Sequence, residues 1–137
     1  AVRRQGALRG IGPIVTAPYP GFPTAAQPLL AAVLAKAQGE SAITETIFDR
    51  RFRYTQQLCR MGARIQVEGD TARICGAPLQ GASVKATDLR GGAALTIAAL
   101  GAQGCSQVYG LEHIDRGYER LETALGCLGG RIRRTTR

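Results

Sequence analysis

The chain has 137 residues and 14.5 kDa, 45% apolar and 20% charged, with mean hydropathy −0.06. That excludes a disordered charged tail and leaves room for one ordinary domain or two small ones. The densest uncharged apolar run, Pro28–Ala35, stops at Lys36 and falls well short of the ~20 residues of a membrane span, so no membrane partner is expected; no apolar leader follows Ala1-Val2-Arg3-Arg4.

In chain order, Ile14-Val15-Thr16 predicts a short strand, and Pro18, Pro20, Gly21 and Pro23 a rigid loop. Thr24 is a candidate N-cap for a helix over 25–38 that Gly39 ends. Ser41–Thr46 predicts a strand, and 53–61 a second helix with Tyr54, Leu58 and Met61 on one face, stopped by Gly62. Arg64–Val67 and Thr71–Cys75 alternate around Gly69-Asp70, a hairpin signal. Then come a strand at Ser83–Ala86, a helix over 91–103 with almost no polar face, and a strand at Ser106–Tyr109. A helix near 117–128 would place Tyr118, Leu121, Leu125 and Leu128 on one stripe, and Arg131–Arg134 would be a last strand. A helix apolar all round is a buried helix.

This order repeats. Ala37-Gln38-Gly39 recurs as Ala102-Gln103-Gly104, and at the same shift of 65 Leu30 falls on Leu95, Ser41 on Ser106 and Arg51 on Arg116. Close to that phase, Leu58–Ile65 matches Leu125–Ile132. The expected organisation is a basic segment over 1–13 and two βαβαββ units over 14–78 and 79–137. Because the chain does not begin with Met, it is read as processed or as part of something longer.

The formal net charge of +8 would suit a nucleic-acid partner. However, Arg3, Arg4, Arg9, Arg131, Arg133, Arg134 and Arg137 carry most of it, and the remaining 11 cations face 10 acids. With only seven aromatic residues to stack bases, nucleic acid is disfavoured. Sixteen of the 18 cations are Arg, which suits either a GC-rich genome or anion sites that need a bidentate fork. Cys59, Cys75, Cys105 and Cys127 form no CxxC pair, and His113 is remote from them in sequence. They read as buried free thiols of a cytoplasmic protein, with no metal site.

Four segments look too specific for packing alone. Pro18–Thr24 is a stiff loop entering a helix N-terminus, which could bind an anion or serve as a plain connector. Thr44–Phe52 follows a strand at the end where α/β proteins place ligands, or is a solvated loop. In Ala86–Arg90, Asp88 could cap the buried helix, which would put Arg90 in its first turn; the segment is either a cap alone or part of a site. In His113–Glu119, Arg116 is the repeat-equivalent of Arg51, so the two are either paired anion ligands or structural ion pairs.

These segments resemble the C-terminal third of the UDP-N-acetylglucosamine 1-carboxyvinyltransferases, enolpyruvyl transferases of peptidoglycan synthesis. The motifs are Pro-Gly-Phe-Pro-Thr-Ala-Ala-Gln at Pro20–Gln27, Thr-Glu-Thr-Ile-Phe-Asp-Arg-Arg-Phe at Thr44–Phe52, Arg60–Ala63, Ala86–Arg90 and His113–Glu119, in order and at matching spacing. The resemblance implies an inside-out α/β barrel of βαβαββ units with buried helices. It implies transfer of the enolpyruvyl group of phosphoenolpyruvate to the 3-hydroxyl of UDP-N-acetylglucosamine in the cytoplasm, with no metal or organic cofactor. The remaining units of the transferase would be partners, on the same chain or in trans.

By residue, the resemblance gives Arg116 a grip on phosphoenolpyruvate and the Ile47 backbone a contact with the UDP-sugar. Arg51, Asp88 and Arg90 would line the cleft between domains. The family's general-base aspartate falls at Ala25, which cannot accept a proton. The family's reactive cysteine and phosphoenolpyruvate-binding lysine have no counterpart among Cys59, Cys75, Cys105, Cys127, Lys36 and Lys85. The chain alone is therefore expected to be inactive. The alternatives are a non-catalytic UDP-sugar-binding paralogue and a basic nucleic-acid-binding module.

Overall fold

A computed structural model describes residues 2–136; Ala1 and Arg137, the outermost residues of the two basic ends, lie outside them. In chain order the elements are β1 (Ile14–Val15), α1 (Gln27–Leu34), β2 (Glu40–Thr44), α2 (Tyr54–Arg60), β3 (Arg64–Glu68), β4 (Thr71–Cys75), β5 (Ser83–Lys85), α3 (Leu89–Gly101), β6 (Gln107–Tyr109), α4 (Leu111–Asp115) and α5 (Leu121–Cys127). A single 3₁₀ turn, Thr24–Ala26, leads into α1.

β1 and β2 pair in parallel, β4 adds antiparallel to β2, and β3 closes the row as the hairpin partner of β4. Gly69, at φ +60°, supplies the left-handed residue that the tight β3–β4 turn requires. β5 and β6 form a separate parallel pair. Strand alternation sends Ser41 and Ile43 of β2 and Ala72 and Ile74 of β4 into the interior.

The helices lie inside. Ala31, Ala32 and Leu34 of α1 pack with Ala94, Leu95 and Ala98 of α3, and one apolar cluster joins them to Ile43, Leu58, Met61, Ile74 and Leu79. Alanine at these positions lets the two helix backbones approach closely. Their direction follows from what meets at each end. At one end, Tyr54 donates to Gln27, the first residue of α1, and its Cβ lies 3.1 Å from where a Cβ on Gly91, in the first turn of α3, would sit. At the other end, Lys36, just beyond α1, donates through Nζ to the carbonyl of Gly101, the last residue of α3. The helices are therefore parallel, and Lys36 and Gly101 are themselves 65 residues apart. The inner helices join two parallel β-α-β segments, β1-α1-β2 and β5-α3-β6.

Several sequence expectations change. Thr24 does not cap α1: the position before the helix is Ala26, with no side-chain cap, and Thr24 bonds elsewhere. The helix expected over 117–128 is broken at Arg120, whose φ of +47° is left-handed, and only Leu121–Cys127 is helical. Gly117 in this break lies against Leu89, where a Cβ would come within 2.5 Å of Cδ2. His113 to Asp115 belong instead to the short helix α4. Arg131–Arg134 forms no strand: β3 owes its ladder to β4, and this segment has no such neighbour among the described residues. Cys59, Cys105 and Cys127 are exposed and Cys75 half-buried, so the thiols are free but not buried. Cys59 and Cys127 lie on the outer surfaces of α2 and α5, away from the α1–α3 contact. Among the described residues no helix is long and apolar enough to cross a membrane.

Gly92 and Gly126 give contrasting tests of the packing. A Cβ on Gly92 would fall 2.6 Å from Cγ1 of Ile114 and 3.0 Å from the Cβ of Ala86, whereas one on Gly126 would meet nothing within 4 Å. Gly92→Ala is expected to destabilise by about 1–3 kcal/mol through overpacking. Gly126→Ala is expected to be neutral or to stabilise by up to about 1 kcal/mol. Urea melts of the two variants would check both values.

Candidate active site

Parallel inner helices bring two helix N-termini to one end of the molecule. The carboxyl ends of β1, β2, β5 and β6 feed the same region through the loops that follow them. Partial positive charge from two helix N-termini and several arginines makes this end suited to anions.

Its organising group is Glu45, which is only 4% exposed. Oε2 accepts from Thr16 Oγ1 at 2.7 Å and from the Ile47 amide at 3.1 Å. Oε1 accepts from Thr24 Oγ1 at 2.6 Å and from Gln27 Nε2 at 3.2 Å. Gln27 in turn accepts from the Tyr54 hydroxyl. Thr16 Oγ1 also accepts from the Thr46 amide at 2.9 Å, and the Thr46 hydroxyl donates to the Thr16 carbonyl at 2.5 Å. Among the described residues no buried side-chain polar atom lacks a partner.

Burial by itself would raise the Glu45 pKa. The Thr24 and Thr16 hydroxyls and the Ile47 and Phe48 amides outweigh it and hold the carboxyl below its ordinary 4.5. Burial and then the charges of Glu45 and Asp88 push the Tyr54 phenol upward, which keeps it a donor.

Of the sequence-predicted residues, Ala25 and Ile47 adjoin this hub. Ala25 is half-buried in the 3₁₀ turn, between Thr24 and the start of α1. Ile47 is exposed, and its amide is already committed to Glu45. The Arg51 guanidinium lies 4.9 Å from the ring centroid of Phe48. Asp88 caps α3 as expected, accepting from the Gly91 amide at 2.7 Å. Arg90 donates to the Tyr118 hydroxyl at 2.6 Å and stacks 5.4 Å from that ring's centroid. Arg116 is exposed at the end of α4 and has no side-chain partner among the described residues. Its neighbour Asp115 is held by the Arg134 fork at 2.7 and 2.9 Å, and the same guanidinium reaches Glu122 at 3.1 Å.

Glu45 was not singled out from the sequence, although the signal was there. It keeps the parity of Ser41 and Ile43, so strand alternation sends it inward, and an inward carboxylate needs donors. Two grooves on the molecule, one over the outer sheet face by Arg64 and Arg73 and one of about 1320 Å³ between α3, α4, α5 and residues 129–135, include none of the predicted site residues. Among the described residues no group of His, Cys, Asp or Glu is placed to hold a metal.

A mixed α/β repeat with its helices inside and its loops gathered at one end is the architecture of the enolpyruvyl transferases. The structure superposes on the enolpyruvyl transferase NikO from Streptomyces tendae with TM-score 0.84 and 34% identity, over 94% of this chain and 30% of that one. EPSP synthase from Acinetobacter baumannii shares the fold at TM-score 0.55 and 22% identity, over 69% of this chain and 26% of that chain.

The model of the EPSP synthase (3-phosphoshikimate 1-carboxyvinyltransferase) family matches residues 2–125, and the chain belongs to this family. UDP-N-acetylglucosamine 1-carboxyvinyltransferase 2 of Caldanaerobacter subterraneus is 58% identical over 125 residues, 90% of this chain and 30% of that protein. UDP-N-acetylglucosamine 1-carboxyvinyltransferase of Rhodopseudomonas palustris is 53% identical over 136 residues, 97% of this chain and 31% of that protein. The chain thus spans about 30% of the length of the curated relatives it matches.

Two outcomes test this geometry. The Glu45 carboxyl is held below its unfolded value, so its contribution to stability is complete above about pH 4.5 and is lost as pH falls through the folded value. Glu45→Gln should start about 1–3 kcal/mol less stable at neutral pH, since an amide faces groups that donate. It should then show a shallower loss of thermal midpoint below pH 4.5 than the parent. Arg134→Ala should speed amide hydrogen exchange across 131–136 while leaving the thermal midpoint nearly unchanged, because the Arg134 ion pairs are solvent-exposed.

Proposed function

We propose that this chain supplies one wall of the active site of a UDP-N-acetylglucosamine 1-carboxyvinyltransferase. The reaction would move the enolpyruvyl group of phosphoenolpyruvate onto the 3-hydroxyl of UDP-N-acetylglucosamine and release phosphate, a cytoplasmic step of peptidoglycan synthesis on which cell shape and division depend. The observation that carries the reading is the convergence of four motif segments on one end of the molecule. Ala25, beside Thr24, and Ile47 adjoin the Glu45 hub, Arg51 stacks on Phe48 in the same loop as Ile47, and Asp88 and Arg90 stand at the N-terminus of the parallel helix α3. The identity to carboxyvinyltransferases over nearly the whole chain supports it independently.

In this reading Arg116 receives the phosphoenolpyruvate anion. Its unpaired fork fits both carboxylate and phosphate and opposes the negative charge on the departing phosphate. The Ile47 amide is taken by Glu45, so the backbone contact to the sugar nucleotide falls to its carbonyl. Arg51, Asp88 and Arg90 line the cleft opposite a second domain. Units over 14–78 and 79–137 belong to the same proposal, supported by the pairing of α1 with α3 in one core. The remaining units would complete the site, and the chain alone would not turn over.

Ala25 gives a second reading some weight. Without a carboxylate at this position the sugar hydroxyl loses a base, whose help is typically ~10²–10⁴-fold. Glu45, saturated by donors and held below its ordinary pKa, is a poor substitute. A paralogue that binds the sugar nucleotide without turnover would look the same.

The test is phosphate release from phosphoenolpyruvate plus UDP-N-acetylglucosamine by the full-length gene product. The expected result is slow release with Ala25 and a kcat raised ~10²–10⁴-fold by Ala25→Asp. No turnover by either form, with the sugar nucleotide still bound, would establish the paralogue.

A further inference from the structure

Among the described residues, Glu45 is the only charged side chain that is buried. Its donors come from three separate stretches: Thr16 just after β1, Thr24 and Gln27 in the 3₁₀ turn that runs into α1, and Ile47 in the loop after β2. Gln27 extends the reach to Tyr54 at the start of α2.

The repeat shows that the unit itself does not require this carboxylate. The residue 65 positions later is Gly110, at φ +81°, where even a Cβ would come within 2.5 Å of the Ala86 carbonyl oxygen. There Asp88 caps the inner helix through the Gly91 amide, while α1 has no side-chain cap and Glu45, just after β2, holds the Thr24 and Gln27 side chains at its start. The same layout is therefore built with a remote acid in one copy and without it in the other.

We infer that Glu45 is a positioning residue: its ionised carboxylate fixes the turn carrying Ala25 against the loop carrying Ile47 and Arg51, and so governs sugar-nucleotide binding without touching the ligand. The identity of that ligand rests on the proposed function; the positioning itself does not. An amide at this place would present hydrogens to Thr16, Thr24 or the Ile47 amide, and at least one of these donors would have to turn away. A displacement of about 1 Å in a loop that orients a substrate is enough to cost on the order of 10²-fold.

The experiment uses the full-length gene product. UDP-N-acetylglucosamine binding is measured by calorimetry, steady-state phosphate release gives KM and kcat, and hydrogen exchange is followed over 16–27 and 45–52. Glu45→Gln, folded by circular dichroism, should weaken sugar-nucleotide binding and raise its KM at least tenfold, with a smaller fall in kcat. Glu45→Asp, which keeps the charge, should recover part of the loss, and both segments should exchange faster in Glu45→Gln. Binding within twofold of the parent in a folded Glu45→Gln overturns the inference. Should that variant fail to fold, Thr24→Val removes a single donor, and an unchanged KM there overturns it equally. If the parent itself binds no UDP-N-acetylglucosamine, the proposed function fails. In that case the exchange data alone decide: faster exchange in both segments upholds the positioning role, and unchanged exchange removes it.

Discussion

Two apolar helices buried side by side and pointing the same way bring like ends of their dipoles together. That arrangement is unfavourable unless opposite charge stands at each end. Here Lys36 donates to the last carbonyl of α3 at the C-terminal end, and Asp88 and Glu45 stand at the N-terminal end. The rest of the molecule depends on this balance. It permits the close contact of alanine faces that forms the core, and it concentrates unsatisfied amide character at the end where the loops gather.

The two acids answer the same requirement by different routes. Asp88 is adjacent in sequence to the helix it caps, so it reports only on α3. Glu45 arrives from a neighbouring strand and reaches α1 through Thr24 and Gln27, so it also joins β1 and the loop after β2. A carboxylate that bonds groups of several elements couples them, whereas a local helix cap does not. The side of the candidate site around Glu45 is therefore the more extensively hydrogen-bonded one. In the second unit the arginines are held more lightly: Arg90 through one hydrogen bond and a ring face on Tyr118, and Arg116 with no side-chain partner among the described residues.

The second unit is also where the sequence pattern misled. Leu121, Leu125 and Leu128 carry helical periodicity, yet α5 buries none of its residues and Leu128 is 85% exposed. Periodicity reports a face that could be buried; it does not report whether anything lies against that face. The same holds for Arg131–Arg134, whose alternation fits a strand but whose ladder needs a neighbour that the described residues lack. The cysteines follow the same logic, because apolar neighbours in sequence are not apolar neighbours in space.

The sequence by itself determined the order of strands and helices through β6, the burial of α3, the Asp88 cap and the family, since each of these is written in local spacing or in contiguous motifs. The tertiary structure alone decided the parallel pairing of α1 with α3, the convergence of distant motifs on one end, and the role of Glu45. These last depend on contacts between residues 18 to 65 positions apart, and a hydrogen bond across such a separation leaves no local pattern. A carboxylate at an inward strand position says that donors must exist; only the fold says that they come from three separate stretches of chain, and therefore what that carboxylate holds together.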